Sequence, residues 1–114
     1  MRLPRQVPYS KAMEIMLTGE LIDAEEALRI GFINRIVPQD KLMEEAASIA
    51  QRIAQNGPLA LQRIKESVIN CLGLTLEEGL AKEQIMGREV FHSEDAREGP
   101  RAFLEKREPK FTGK

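Results

Sequence analysis

Phe103 and Lys106 are the pair in this chain whose types and spacing suit recognition chemistry. They stand three positions apart in the run Ser93–Phe111, SEDAREGPRAFLEKREPKF, and on an expected helix that spacing shares one face. An aromatic ring beside an ammonium group suits a nucleotide base with its phosphate. Arg101, Arg107 and Lys110 add positive charge to the same run. The run therefore reads as a cofactor-handle site. The competing reading makes Phe103 a core anchor and Lys106 a solvated charge.

Reactive groups are scarce elsewhere. His92 is the sole histidine, and neither a nucleophile elbow nor a metal-ligand spacing accompanies it. It reads as a solvated residue beside a helix cap. Cys71, the one cysteine, reads as a small core residue and rules out an internal disulfide. The glycines are scattered singly, so no phosphate loop of Rossmann or Walker type is present. Glu25-Glu26, Glu44-Glu45 and Glu77-Glu78 are adjacent pairs in early helical turns. Neighbours on a helix diverge by about 100°, so such pairs do not converge as an acid and a base. Glu83 borders an apolar stripe and is expected at a rim or paired with an arginine.

The elements that carry these residues are mostly helical. Ser10 is expected to cap a first helix with Ala12, Met13, Met16 and Leu17 on its apolar side, ended by Gly19. Asp23 and Glu26 have capping-box spacing before a short helix that Gly31 stops. The run 33–37 is β-branched and bounded by Gly31 and Pro38, giving at most one short extended segment. Leu42, Ala46, Ile49, Ala50 and Ile53 recur on one helical face, and Asn56-Gly57-Pro58 breaks it. Pro58 opens the next helix, with Leu61, Ile64, Val68 and Cys71 in register as far as Gly73. Thr75 and Glu78 form a second capping box before Leu76, Leu80, Gly87 and Phe91. Two antiparallel helical pairs are expected, and Gly79 and Gly87 suggest close approach by another backbone. Ser93 caps the last element, where Pro100 either starts a new turn after Gly99 or kinks the helix. Beyond Pro109, Thr112-Gly113-Lys114 is expected to fray.

Composition narrows the partners. The 114 residues are 42% hydrophobic and 31% charged, within the range of one globular domain. Seventeen Lys and Arg against eighteen Asp and Glu leave a charge of −1, so no global field draws the chain to nucleic acid or an anionic membrane. No Trp, one Tyr and four Phe leave little for base-stacking platforms. No apolar run reaches the roughly 20 residues of a membrane span, and MRLPRQVPYS lacks a signal-peptide centre. A cytoplasmic setting is expected.

Taken together, the motifs resemble the enoyl-CoA hydratase/isomerase (crotonase) family. The first block is Met16-Leu17-Thr18-Gly19, Ile22-Asp23-Ala24-Glu25-Glu26-Ala27, Gly31-Phe32-Ile33-Asn34 and Ile36-Val37-Pro38. It is similar to that family's Leu-Thr-Gly, Ala-x-Glu-Ala, Gly-Leu-Val and Val-Val-Pro order. The second is the run from Ser93, similar to an Asp-x-x-Glu-Gly turn followed by Ala-Phe and a Lys-Arg pair. The stretch from Asp40 through Asn56-Gly57-Pro58-Leu59-Ala60 to Lys65 also matches, and Arg2-Leu3-Pro4-Arg5 resembles the segment just after the family's catalytic core. Pro100 stands where many relatives carry Met or another apolar residue.

The resemblance implies a mainly α fold, the helical C-terminal trimerisation region of the crotonase fold. One domain over residues 1–114 is expected, a C-terminal fragment of a longer chain with Met1 an artificial or internal start. It implies that the backbone oxyanion hole and the catalytic carboxylates belong to residues before Met1, so the segment alone is not expected to catalyse hydration. Residues matching Phe103 and Lys106 reach the adenine and phosphate end of coenzyme A, commonly from a neighbouring subunit. No separate cofactor is implied, the coenzyme A thioester being the substrate of the parent enzyme. Expected partners are further copies of the chain, as a trimer or dimer of trimers in the parent, and acyl-CoA, with neither nucleic acid nor membrane. The alternative is a stand-alone, non-enzymatic helical interaction or CoA-binding module.

Overall fold

The computed structural model describes residues 2–114, so the reading of Met1 as a start lies outside the described residues. The described residues form six α-helices: α1 (Tyr9–Thr18), α2 (Ala24–Arg29), α3 (Leu42–Ala54), α4 (Pro58–Cys71), α5 (Leu76–Phe91) and α6 (Glu94–Leu104). Short 3-10 turns at Leu3–Arg5 and Gln39–Lys41 precede α1 and α3. Among the described residues there is no strand. The β-branched run at 33–37 stays a link, because no second strand is present to supply ladder partners. The chain divides into two compact units, Met1–Glu45 and Ala46–Lys114, with the division inside α3.

In the first unit, Val7, Ala12 and Ile30 form a small core with Leu3, Ile15 and Ile22 packed on it. The helix α1 starts earlier than its sequence suggests. Pro8 is the cap residue, Tyr9 is already helical, and Ser10 makes no capping bond. The fixed φ of proline presets an extended entry, here −51°, and displaces the hydroxyl cap. Gly19 ends α1 in the left-handed region at φ 68°, its N–H on the Ile15 carbonyl at 3.0 Å.

Only half of the expected box forms on α2. Asp23 Oδ1 accepts the Glu26 N–H at 2.7 Å. Glu26 does not reach back, because its carboxylate is taken by Arg29 at 2.5 and 2.8 Å and by Lys11 at 3.2 Å. Arg35 pairs with Glu45 further along.

In the second unit α4 and α5 form one antiparallel hairpin. Arg63 reaches Glu89 at 2.8 Å and Glu66 at 2.5 Å, while at the other end Cys71 Sγ lies 3.7 Å from the Gly79 carbonyl oxygen. Cys71 is half-buried there. Among the described residues no second hairpin of this extent accompanies it. No residue of α3 is buried, and Leu42 and Ile53 are 55% and 50% exposed.

Thr75 and Glu78 complete a full capping box on α5. Gly87 meets no backbone: a Cβ there would find nothing within 4 Å, while one on Gly79 would touch Cys71 Cβ at 3.7 Å. The close approach read from these glycines thus holds in part for Gly79 and not for Gly87. The helix α6 runs through Pro100 without ending at Gly99. Ser93 holds its start, Oγ accepting the Ala96 N–H at 3.1 Å.

Candidate functional site

The end of α6 carries the two residues singled out for recognition. Phe103 is the next-to-last residue of the helix and 83% exposed, so its ring is not consumed as a core anchor. Ala102 supplies the buried contact instead, at 1% exposure. That division follows from position: Ala102 lies on the covered face of α6, and its neighbour points elsewhere.

Lys106 does not continue the helix. The cap is Glu105, and Lys106 follows it at φ 52°, the single non-glycine residue in the left-handed region among the described residues. Its N–H donates to the Phe103 carbonyl at 3.2 Å, and the Arg107 N–H donates to the Ala102 carbonyl at 3.0 Å. Together these two bonds make a Schellman closure in the position glycine usually fills. The premise that Phe103 and Lys106 share a helical face is therefore corrected. They are joined instead through a tight left-handed turn.

The cations around this turn differ in what they have left to offer. Arg107 is bound in a two-pronged pair with Glu98, at 2.5 and 2.9 Å, and also meets Glu105 at 2.6 Å. Those bonds raise the Arg107 pKa above its ordinary value, Glu98 contributing most and Glu105 next. Glu98 in turn is lowered to about 2, by Arg107 first and the Lys110 N–H second. Arg101 pairs with Glu105 at 3.0 Å. Lys106 and Lys110 enter none of the side-chain ion pairs among the described residues. The positive field read from sequence is thus carried by lysine, while both arginines are neutralised by neighbours.

The tail beyond Pro109, expected to fray, is instead hydrogen-bonded to the start of α6. Asp95, 8% exposed, accepts the Thr112 N–H at 2.7 Å and the Gly113 N–H at 2.8 Å. The Lys114 main-chain oxygen accepts the Glu94 N–H at 2.6 Å. Asp95 also faces the start of α4: a Cβ on Gly57 would stand 3.4 Å from its Oδ2, and one on Gly113 would stand 3.5 Å from Pro58. The place of Asp95 in the first turn of α6 also suits a negative charge on the helix dipole. Its link to amides 17 and 18 residues away has no local signal.

Other candidates stay chemically quiet. His92 caps α5, its Nδ1 2.7 Å from the Arg88 carbonyl oxygen, and is exposed as expected. Glu83 is exposed on the rim of a shallow groove with Leu80, Gly87 and Phe91 and pairs with no arginine among the described residues. No cluster of three metal-ligating side chains occurs among the described residues. No described helix is long and apolar enough to cross a membrane.

Comparison with known proteins places this geometry in a family. Residues 1–114 match the model described as enoyl-CoA hydratase/isomerase. A curated relative named enoyl-CoA hydratase EchA19, from Mycobacterium tuberculosis, is 43% identical over 110 residues, which is 96% of this chain and 41% of the relative. A carnitinyl-CoA dehydratase from Citrobacter koseri is 41% identical over 118 residues, covering 100% of this chain and 45% of the relative. The crystal structure of an enoyl-CoA hydratase from Bacillus anthracis superposes with a TM-score of 0.97 at 39% identity, covering 100% of this chain and 44% of that one. The chain therefore spans less than half the length of the curated relatives it matches.

Proposed function

The chain belongs to the enoyl-CoA hydratase/isomerase family, and from that membership we propose that it is the C-terminal helical part of an enoyl-CoA hydratase-like acyl-CoA enzyme. In this reading it contributes oligomerisation and the contacts to the nucleotide end of coenzyme A. The oxyanion-hole amides and catalytic carboxylates belong to a preceding part of the parent protein.

One observation carries the reading: a largely exposed Phe103 ring followed by an unpaired Lys106 in a strained left-handed turn. An exposed aromatic ring gains roughly 1 to 3 kcal/mol when a base stacks on it. An ammonium free of carboxylate partners is available to a phosphate, whereas Arg107 is not. The Lys106 backbone is held where lysine is disfavoured, and such strain is commonest at ligand sites. Nothing in the described residues offers a poised acid, base or nucleophile for the acyl end, so the segment holds half of a site.

Oligomerisation rests on the exposed apolar surface of the α4–α5 hairpin. Ile64, Val68, Leu76, Leu80 and Phe91 are all at least half exposed, and such surface is normally covered by a partner.

The test is a titration of the chain with coenzyme A followed by NMR. Weak binding that shifts the Phe103 and Lys106 signals, and disappears in Phe103→Ala and Lys106→Ala, is expected. Unchanged binding in both variants would remove the nucleotide-end reading. Sub-micromolar affinity by calorimetry, abolished by the same substitutions, would instead favour a stand-alone CoA-binding module.

A further inference from the structure

Residues 107–114 turn back along α6 and are fastened to it at two carboxylates one helical turn apart. Glu98 takes the Arg107 guanidinium with both oxygens, at 2.5 and 2.9 Å, and its Oε1 also accepts the Lys110 N–H at 2.8 Å. Asp95 takes the Thr112 and Gly113 amides, one on each oxygen, at 2.7 and 2.8 Å. The spacing i, i+3 puts both carboxylates on the same face of α6. Between them the Phe111 ring lies over Gly99, 3.9 Å from where a Cβ would stand. Three of these partners are backbone amides, so beside gripping the Arg107 guanidinium the carboxylates read the path of the strap.

The strap begins directly after Lys106. A lysine freed from constraint leaves the left-handed region, since its Cβ crowds the following carbonyl oxygen there. Two closing bonds, Lys106 N–H to Phe103 and Arg107 N–H to Ala102, hold it in place. The second of these depends on where Arg107 sits, and Arg107 is seated by Glu98.

We infer that Asp95 and Glu98 are positioning residues: by strapping residues 107–114 along α6 they hold Lys106 in its left-handed turn, where its ammonium serves the nucleotide end of coenzyme A. This rests on the nucleotide-end reading of Phe103 and Lys106. It also makes a prediction of unusual sign. Removing the Glu98 charge leaves Arg107 with Glu105 alone and makes the surroundings more positive, which by electrostatics alone tightens a phosphate ligand. Positioning requires the opposite.

The experiment is NMR titration of the 114-residue chain and four variants of it with coenzyme A. Glu98→Gln is expected to raise the Kd about fivefold and to speed hydrogen exchange at the Arg107 amide. In a Lys106→Ala background the same Glu98→Gln change leaves the Kd unmoved, because the strap acts through Lys106. Thr112→Pro deletes one strap amide without touching a helix, and a loss of about twofold is expected from it. It also keeps the test open should an α6 variant fail to fold. Tighter or unchanged binding in Glu98→Gln, or an equal loss with and without Lys106, overturns the positioning role while leaving the nucleotide-end reading intact. No effect from Lys106→Ala alone overturns both.

Discussion

Lys106 reaches back from beyond the end of α6 to the Phe103 carbonyl, N–H to oxygen 3.2 Å, with its own backbone at φ 52°. The pair is thus coupled through a turn, and the conformation is one that glycine adopts without penalty. Lys106→Gly is expected to raise stability by about 1 kcal/mol while weakening coenzyme A binding. Thermal melting beside a coenzyme A titration checks both halves. A variant that loses stability would show that the lysine side chain, and not the ligand, explains the residue at this position.

Thr75→Ala removes the hydroxyl that accepts the Glu78 N–H and donates to Glu78 Oε2, and keeps only the reciprocal bond from the Thr75 backbone N–H to that carboxylate. A loss of about 1 kcal/mol is expected, read by chemical denaturation. An unchanged midpoint would mean that α5 is held by packing on α4 alone.

Acid weakens the chain in a defined window. Glu26 is lowered to about 2, by Arg29 first and Lys11 second, and Glu98 to about 2, by Arg107 first and the Lys110 N–H second. A folded value below the ordinary 4.5 means that unfolding takes up protons between those limits. The stabilisation is therefore present above about pH 4.5 and lost as the pH falls toward 2. Denaturation midpoints measured from pH 6 down to 2 are expected to fall more steeply in the parent than in Glu98→Gln. Both groups keep partial contact with solvent, so added salt flattens the slope.

Phe91 is 82% exposed at the end of α5. The chain is expected to self-associate, and Phe91→Glu to shift it toward monomer by placing a charge in the apolar surface. Sedimentation at increasing concentration measures this. A parent chain that stays monomeric at high concentration would count against oligomerisation.

Hydration of an enoyl-CoA is expected to be absent with the chain alone, followed by loss of the conjugated thioester absorbance. Turnover abolished by Glu83→Gln would place a catalytic carboxylate within these residues and overturn the half-site reading.

Helix limits set by local chemistry were legible in the sequence. Gly19 and the Thr75–Glu78 box act through bonds spanning only a few residues, and the structure has both. The misreadings arise where a partner lies far along the chain or competes for the same group. Glu26 had the spacing of a capping box, but Lys11 and Arg29 hold its carboxylate. Lys106 carries no mark of a left-handed turn, since glycine is the residue that signals one. The tail after Pro109 has a fraying composition, yet Asp95 supplies acceptors that no local pattern announces.

The stripe on α3 has a last consequence. Isolated helices shorter than about 12 to 15 residues sit near the helix–coil midpoint in water, and α3 has 13 residues with none buried. Its amides are expected to exchange on the timescale of local opening, well ahead of those in α4 and α5. A partner that covered Leu42 and Ile53 would lengthen the lifetime of that helix, so slowed exchange in α3 is the expected signature of such a contact.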